Sequence, residues 1–391
     1  MISLETQHFK INRLLLLIIG IWPLQQSNLT RFQFIFCSSI LITSIIFQLM
    51  TFVTLRCTAD HITKVLSSTC FSSMFVIKYT LFYFNMEVMK ELLMELQYIF
   101  DGLKDKNEVA IMQEYNCNAR RYTMVLTVLG VCTIFAAIIA LFWSRILYII
   151  LPNVSLSRRL PVKFEYFIDQ EKYYYWILLH INVALCIGAI AMVGIGTTLI
   201  AYAQHTCGMF RISSYRIRRA VHVNTLENTK LKENLILKGI ISAVNIHRQA
   251  MKLSGLLVSK IQTMLFCLII IGVVSLSLNL FQIFQIASSG NDVKEFIFPI
   301  LFVTVSVLYM FLANYVAQVI MDHNNDIFAT VYDVKWHAAP LHIQKLLLFL
   351  LQRGAKDFTL SVGGLFVGSL ECFATLGKAS VSYFTVIYST Q

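Results

Sequence analysis

The chain has 391 residues, of which 57% are hydrophobic and only 14% charged, and its mean hydropathy is +0.68. Soluble domains carry roughly a quarter charged residues, so the composition excludes a soluble globular protein and points to a polytopic membrane protein. The net charge of +11 is accounted for by the sidedness of the loops, and nucleic-acid binding is not expected.

The chain opens with an apolar run at 14–24, behind Lys10 and Arg13. It is short for a span, which needs ~20 residues, and the following Trp22-Pro23-Leu24-Gln25-Gln26 offers no small-x-small cleavage site. An interfacial or re-entrant helix is expected there. Seven spans follow, at 32–54, 65–84, 122–144, 173–203, 261–286, 296–321 and within 358–389. The expected fold class is therefore all-α, a single unit of seven transmembrane helices over 1–391. Two polar stretches stand out, 204–260 and 322–357. The first keeps apolar residues at helical spacing and reads as an extension of spans four and five. Both read as cytoplasmic anchor-type segments. The nine cysteines are scattered through apolar runs without metal-ligand spacing, and Asp322, His323 and Asp326 lack a fourth partner for a tetrahedral site. No metal or cofactor is expected.

Lysine and arginine set the orientation. The N-terminus and loops 2–3, 4–5 and 6–7 hold 22 of them, the opposite loops 8. This places the N-terminus inside, the C-terminus outside, and the sequon Asn153-Val-Ser155 outside. A G-protein-coupled receptor has the reverse orientation. The chain also lacks an acidic-Arg-aromatic signature at the inner end of helix three and an Asn-Pro-x-x-Tyr ending, so no G protein is expected. There is no Ser/His/Asp pattern, phosphate loop or paired carboxylate within a span, and the chain is not expected to be an enzyme.

Charges inside spans need a reason, since each costs ~2.5–3.5 kcal/mol at a helix centre. Lys78, toward the inner end of helix two, reads as snorkelling to the cytoplasm. Glu371 and Lys378 share roughly one face of the last helix and suit a water-filled vestibule or an intersubunit pair. The run Arg211, Arg216, Arg218, Arg219 reads as a cluster at anionic lipid. Gly364-x-x-x-Gly368 and Ala184-x-x-x-Gly188 read as close-packing sites.

The C-terminal stretch is divided. An amphipathic segment, 340–353, opens after Pro340 and ends at Gly354, and an apolar helix follows. On that helix Thr375, Ala379, Ser382, Val386 and Ser389 recur at intervals of four, three, four and three, so they share one face. All are small. Such a stripe suits either a close-packing seam or a water path.

The order Trp336, Pro340, Gln344, Leu346-Leu347, Arg353, then Gly363-Gly364, then Lys378-Ala-Ser-Val-Ser-Tyr-Phe384 resembles the insect odorant receptor family, and the span count, inside N-terminus and length are similar to that family throughout. The ending Ser382-Tyr-Phe-Thr-Val-Ile-Tyr-Ser-Thr-Gln391 departs from the gustatory branch. The resemblance implies an odorant-binding subunit of a ligand-gated non-selective cation channel at the plasma membrane of an olfactory neuron dendrite. It implies a heterotetramer with a coreceptor subunit, which carries a long insertion in loop 4–5 that this chain lacks. It also implies that the last helix lines the pore, with Val386 and Ser389 at its narrow part, so the stripe Thr375, Ala379, Ser382, Val386, Ser389 becomes the expected pore lining. A serine at 389 departs from the glutamine of the coreceptor. A gustatory-type channel and a secondary transporter are the alternatives, though the chain shows no internal repeat.

In the family a small volatile ligand binds among helices two to six in the outer half. Depth and chemistry then select Phe71, Met74 and Phe75 on helix two and Phe142, Trp143 and Tyr148 on helix three. Helix four offers Tyr174, Tyr175, His180 and Ile181. Helix five offers Ser275, Asn279 and Gln282 on one face, and helix six Phe296, Phe298 and Phe302. An aromatic box with one amide stripe suits a volatile with a single polar group. The competing readings are interfacial aromatic belts and helix-to-helix hydrogen bonds.

Overall fold

A computed structural model describes residues 9–54, 58–150, 164–169, 172–221, 229–289, 293–334, 336–354 and 358–389. The side chains of 143–150 lie outside that description, as does the sequon at Asn153. The described chain is almost entirely helical. In order it runs α1 (Lys10–Ile18), α2 (Asn28–Leu49), α3 (Thr51–Thr54), α4 (Ala59–Phe84), α5 (Met86–Asp101), α6 (Lys106–Ile150), α7 (Tyr174–Val221), α8 (Thr229–Ser289) and α9 (Ile297–Asp333). There follow α10 (Leu341–Gly354), a two-stranded hairpin of β1 (Ser361–Val362) and β2 (Phe366–Val367), and α11 (Leu370–Ser389).

Among the described residues, six helices are long and apolar enough to cross a membrane. They are α2, with α3 continuing it, together with α4, α6, α7, α8 and α9. The 20-residue α11 matches the ~20 residues that a ~30 Å core requires, but it also carries Glu371 and Lys378. The helices of the middle of the chain overshoot any bilayer. At 1.5 Å per residue the 61 residues of α8 extend about 90 Å. All the overshoot is at one end, called here the extended end. The other, short-loop end carries the α2–α4, α6–α7 and α8–α9 connections.

The first helix is embedded. Asn12 on α1 is buried and its Nδ2 donates to Thr197 Oγ1 of α7 at 2.9 Å. Just beyond, Ile19, Ile21 and Trp22 are buried, and the Tyr79 hydroxyl of α4 donates to the Ile19 carbonyl at 2.6 Å. The segment thus plugs the gap between α4 and α7.

α4 and α7 meet at Gly188. A Cβ there would fall 2.2 Å from the ring of Phe75, so only glycine lets the helices approach this closely. Small residues serve this purpose wherever lipid removes the hydrophobic drive for helix association.

At the extended end, α5 is an amphipathic helix in the stretch 85–121. It buries Met86, Met89, Leu92, Leu93, Leu96 and Ile99 along one face. The basic run on α7 is divided. Arg216 makes a two-pronged ion pair with Glu108 of α6, both contacts 2.7 Å, and its Nη1 donates to the Ser242 hydroxyl of α8 at 2.9 Å. Such a fork fixes geometry as well as charge. Arg219 pairs with Asp105 and Arg218 with the Thr330 hydroxyl. The reading of this run as a lipid-facing cluster is therefore corrected for Arg216, which the Glu108 carboxylate holds inside the bundle, while Arg211, Arg218 and Arg219 remain exposed. On the same level His247 of α8 lies buried, edge-on between Phe210 and Phe328, with its Nε2 2.9 Å from Asn324 Oδ1.

Two more expectations change. Residues 358–369 do not belong to the last helix. Gly363 and Gly364 adopt φ of 62° and 71°, a left-handed region that favours glycine, and they turn the chain back so that Gly368 N donates to Leu360 O at 3.0 Å. Ser369 then caps α11, accepting from Cys372 N at 3.0 Å. Gly364 thus belongs to a hairpin turn, not a helical packing motif, whereas Gly368 does pack closely, since a Cβ there would fall 2.5 Å from the Ala317 Cβ of α9. Lys78 does not snorkel. Its side chain is fully buried and its Nζ donates to Met192 O of α7 at 3.0 Å. Proline-free α4 runs straight through this position, and the inward face of a bundle helix gives the stem no route to solvent.

Burial pushes the His247 pKa down; Asn324 pulls it back up and Arg353 lowers it further. A histidine depressed in the folded state favours folding above its unfolded value of ~6.5, and that contribution is lost as pH falls below it. Acidification from pH 7.5 to 5.5 should lower the thermal midpoint of the solubilised chain, and His247→Gln should flatten that fall. An unchanged slope in the variant would place the acid sensitivity elsewhere.

Candidate functional site

Among the cavities of the described bundle, two of different character bear on ligand binding. The smaller, of about 40 Å³, lies near the short-loop end. The larger, of about 220 Å³, lies toward the extended end and has an almost wholly aliphatic wall.

The smaller cavity is built by five helices and one loop. From α4 come Phe71 and Phe75, one helical turn apart, with Ser68 and Ser72. From α7 come Ile181, Ala184 and Leu185, and from α9 Phe298 and Phe302. α2 adds Leu41, Ser44 and Gln48, α6 adds Leu141, and Phe164 closes the short-loop side. The aromatic rings form a continuous set. Phe71 stacks on Phe302 at 4.2 Å and 18°, meets Phe75 edge-on at 5.1 Å and 75°, and Phe302 contacts Phe298 at 6.0 Å. Offset and edge arrangements of this kind are the favoured ones. Polar character is confined to one side. Gln48 Nε2 donates to Ser72 Oγ at 3.2 Å and Gln48 Oε1 accepts from Thr69 Oγ1 at 3.2 Å.

Of the residues expected from sequence, Phe71, Phe75, Ile181, Phe298 and Phe302 come together on this wall. Met74 is buried but is not among the lining residues. Phe142 is half-buried against the core. The side chains of Trp143 and Tyr148 lie outside the described residues. Tyr175 points away, 58% exposed. His180 faces α2 and the α6–α7 loop: its Nε2 lies 3.0 Å from Thr43 Oγ1 and its Nδ1 2.8 Å from the Tyr166 hydroxyl.

The expected amide stripe on α8 is displaced too. Gln282 Oε1 accepts from Ser67 Oγ of α4 at 3.0 Å, and Asn279 Nδ2 donates back to Ser275 O at 2.7 Å. Both bonds stay within the bundle packing, because a polar group with no water nearby takes the closest protein partner. The amide that does border the cavity is Gln48. Its sequence signal is an amide in the first span, outside the helices two to six that the resemblance implies for the site.

On α11, Leu376 and Ser380 are buried, and Ser380 O accepts from Ser277 Oγ of α8 at 2.9 Å. The stripe lies on another face. Thr375, Ser382, Val386 and Ser389 are exposed and Ala379 half-buried. Within the chain, the packing seam of α11 is therefore not the small-residue stripe.

A family model described as 7tm Odorant receptor matches residues 58–381. The chain belongs to the odorant receptor family. It is accordingly an odorant-binding subunit of an insect ligand-gated channel, a multi-pass membrane protein and not an enzyme. Two solved structures share its fold across 99% of both chains. They are the insect olfactory receptor OR5 from Machilis hrabei in complex with eugenol (TM-score 0.78, 12% identity) and the same receptor described without ligand (0.76, 14%). At this identity the likeness carries the seven-helix, all-α fold. No curated protein sequence matches the receptor.

Loss of one aromatic wall is worth ~0.5–1.5 kcal/mol, which corresponds to roughly a two- to tenfold change in affinity. Phe302→Ala should shift the half-maximal concentrations of aromatic volatiles by about that factor and reorder them in evoked-current recordings. Tyr175→Ala should leave the order unchanged. The converse result would move the ligand to the α7 surface.

Proposed function

We propose that this receptor is an odorant-tuned subunit that works with a coreceptor in a heterotetrameric cation channel, and that the odorant occupies the aromatic cavity. The extended end is then cytoplasmic and α11 ends outside. The stacking of Phe302 on Phe71 carries the reading, because it joins cavity to channel. At about 40 Å³ the space holds only a few waters at ~10–15 Å³ each. A ligand therefore has to part the rings, and Phe302 sits on the helix that also braces α11. Asn314 Oδ1 of α9 accepts from Ser369 N at the start of α11 (3.3 Å), and Phe311 meets Phe373 edge-on at 5.5 Å. α8 offers a parallel link, from Ser67 through Gln282 to Ser277 and Ser380. A ligand shifts such an equilibrium only as far as it favours the parted arrangement.

The ligand class follows from the wall: a small, mostly apolar volatile with one polar group for the Gln48 and Ser72 side. The eugenol of the OR5 complex is a molecule of this kind. The absence from this sequence of a long insertion between spans four and five supports a tuning subunit over a coreceptor. The exposed stripe Thr375, Ala379, Ser382, Val386, Ser389 is the proposed pore lining.

Co-expression decides the assembly. Aromatic volatiles should evoke cation current when the chain is expressed with a coreceptor and none when expressed alone. Current from the chain alone would point to a self-sufficient, gustatory-type channel, and substrate flux without current to a transporter. Val386→Trp should abolish or strongly alter the evoked current while surface assembly persists; unchanged conductance and selectivity would make the stripe a contact between subunits.

A further inference from the structure

The larger cavity lies between α6, α7, α8 and α9, away from the aromatic box. Leu129, Leu257 and Leu265 are typical of its wall. At about 220 Å³ it exceeds the ~150 Å³ of an engineered apolar cavity that admits benzene. Leu129 and Leu308 line it and yet remain 45% and 38% exposed, so the cavity opens sideways between α6 and α9, toward lipid.

One cation lies directly behind this wall. Lys78 reaches across from α4 with its side chain fully buried. Its Nζ donates to Met192 O at 3.0 Å and lies 4.3 Å from the centre of the Tyr309 ring. Met192 and Tyr309 both line the cavity, and so does Gly196. Lys78 is not itself on the wall and has no exposed surface, but a Cβ on Gly196 would lie 3.4 Å from its Nζ, so at that position only a glycine stands between the ammonium and the void. An ammonium has three donors, and the described structure gives this one a single carbonyl acceptor. None of the ion pairs among the described residues includes it. A buried cation without a counter-charge is costly, and intramembrane ionisable groups generally mark ligand or ion paths.

We propose that this cavity is a second ligand site, and that it takes a single-chain amphiphilic carboxylate entering from the bilayer. The tail lies among the leucines of α6, α8 and α9, and the carboxylate reaches Lys78 Nζ beside Gly196. The missing counter-charge selects an acid over an alcohol or an ester of the same length. The aliphatic wall and lateral opening select an amphiphile over a soluble anion. The proposal is independent of where the odorant binds.

The test uses the full-length chain in phosphatidylcholine nanodiscs with two photoreactive probes, a diazirine octanoic acid and the octanol of identical chain. The acid should label α7 and α9 around Gly196 and Tyr309. A charge-assisted hydrogen bond is at stake, so Lys78→Met should cut acid labelling by about tenfold or more and leave octanol labelling within about twofold. Ala313→Phe, which fills the cavity without touching Lys78, should reduce labelling by both probes. Equal labelling by acid and octanol with no effect of Lys78→Met would mean that lipid tails alone occupy the space and would overturn the proposal. Acid labelling confined to the neighbourhood of Phe71 and Phe302 would overturn it too. Should Lys78→Met not yield folded protein, unchanged acid labelling in Ala313→Phe is itself enough to reject the site.

Discussion

The membrane part of this receptor depends on the contact of Phe75 with Gly188. Helices in lipid gain little from hiding apolar surface, since the solvent is itself apolar, and close packing has to hold them. Gly188 gives α7 a notch, and the Phe75 ring of α4 fills it at a distance that no Cβ would allow. With α4 held there, Phe71 one turn away is presented to Phe302 of α9, and the two rings stack. Three helices are thus tied by one run of rings, and the cavity is what remains beside it. A larger side chain at 188 would push Phe75 out and separate Phe71 from Phe302, so the shape of the cavity and the spacing of the helices are one constraint.

Polar groups inside the spans show where the sequence could be read and where it could not. Phe71 and Phe75 were legible because a four-residue spacing puts both on one face of any helix, and depth placed Ile181 and Phe302 at the same level. Ser275, Asn279 and Gln282 were legible as one face of α8. The direction of that face was not, because a helix is rotated about its axis by its neighbours. Gln282 turns to Ser67, a serine 215 positions earlier whose claim on it has no local signature. Gln48 shows the reverse error: its chemistry was visible, but its helix was outside the expected set. Lys78 was misplaced for the same reason. Sequence position put it toward the inner end of a span, and only the bundle shows that the inward face offers it a carbonyl of α7 and a tyrosine ring of α9.

The extended end follows a different rule. The surplus of basic residues is a count by loop and marks one end of the bundle. It is blind to partners. Arg216 finds Glu108 at a separation of 108 residues, and the pair is buried enough to fix how α6 and α7 leave the bilayer. Helical continuity through 229–260 was legible from apolar spacing, and α8 does run unbroken from Thr229 to Ser289. The amphipathic α5 carried an equally clear pattern in Met86, Met89, Leu92, Leu93 and Leu96, but it fell in a stretch treated as a connection between spans.

The last helix shows why spacing alone left two meanings open. A stripe of small residues lets another helix approach, or leaves room for water, and the sequence is the same in both cases. The structure removes one version of the first meaning, since the seam of α11 within its own chain runs through Leu376 and Ser380. The stripe is left for something outside the chain. In a closed ring of four similar subunits every copy presents the same face to the axis. Bulky residues there would meet and fill the axis, whereas Thr375, Ala379, Ser382 and Val386 leave it open. Glu371 and Lys378, on roughly one face of the same helix, are exposed as well. Both would be costly against lipid, and a hydrated axis or a neighbouring subunit accommodates them better, which favours a stripe that faces away from lipid.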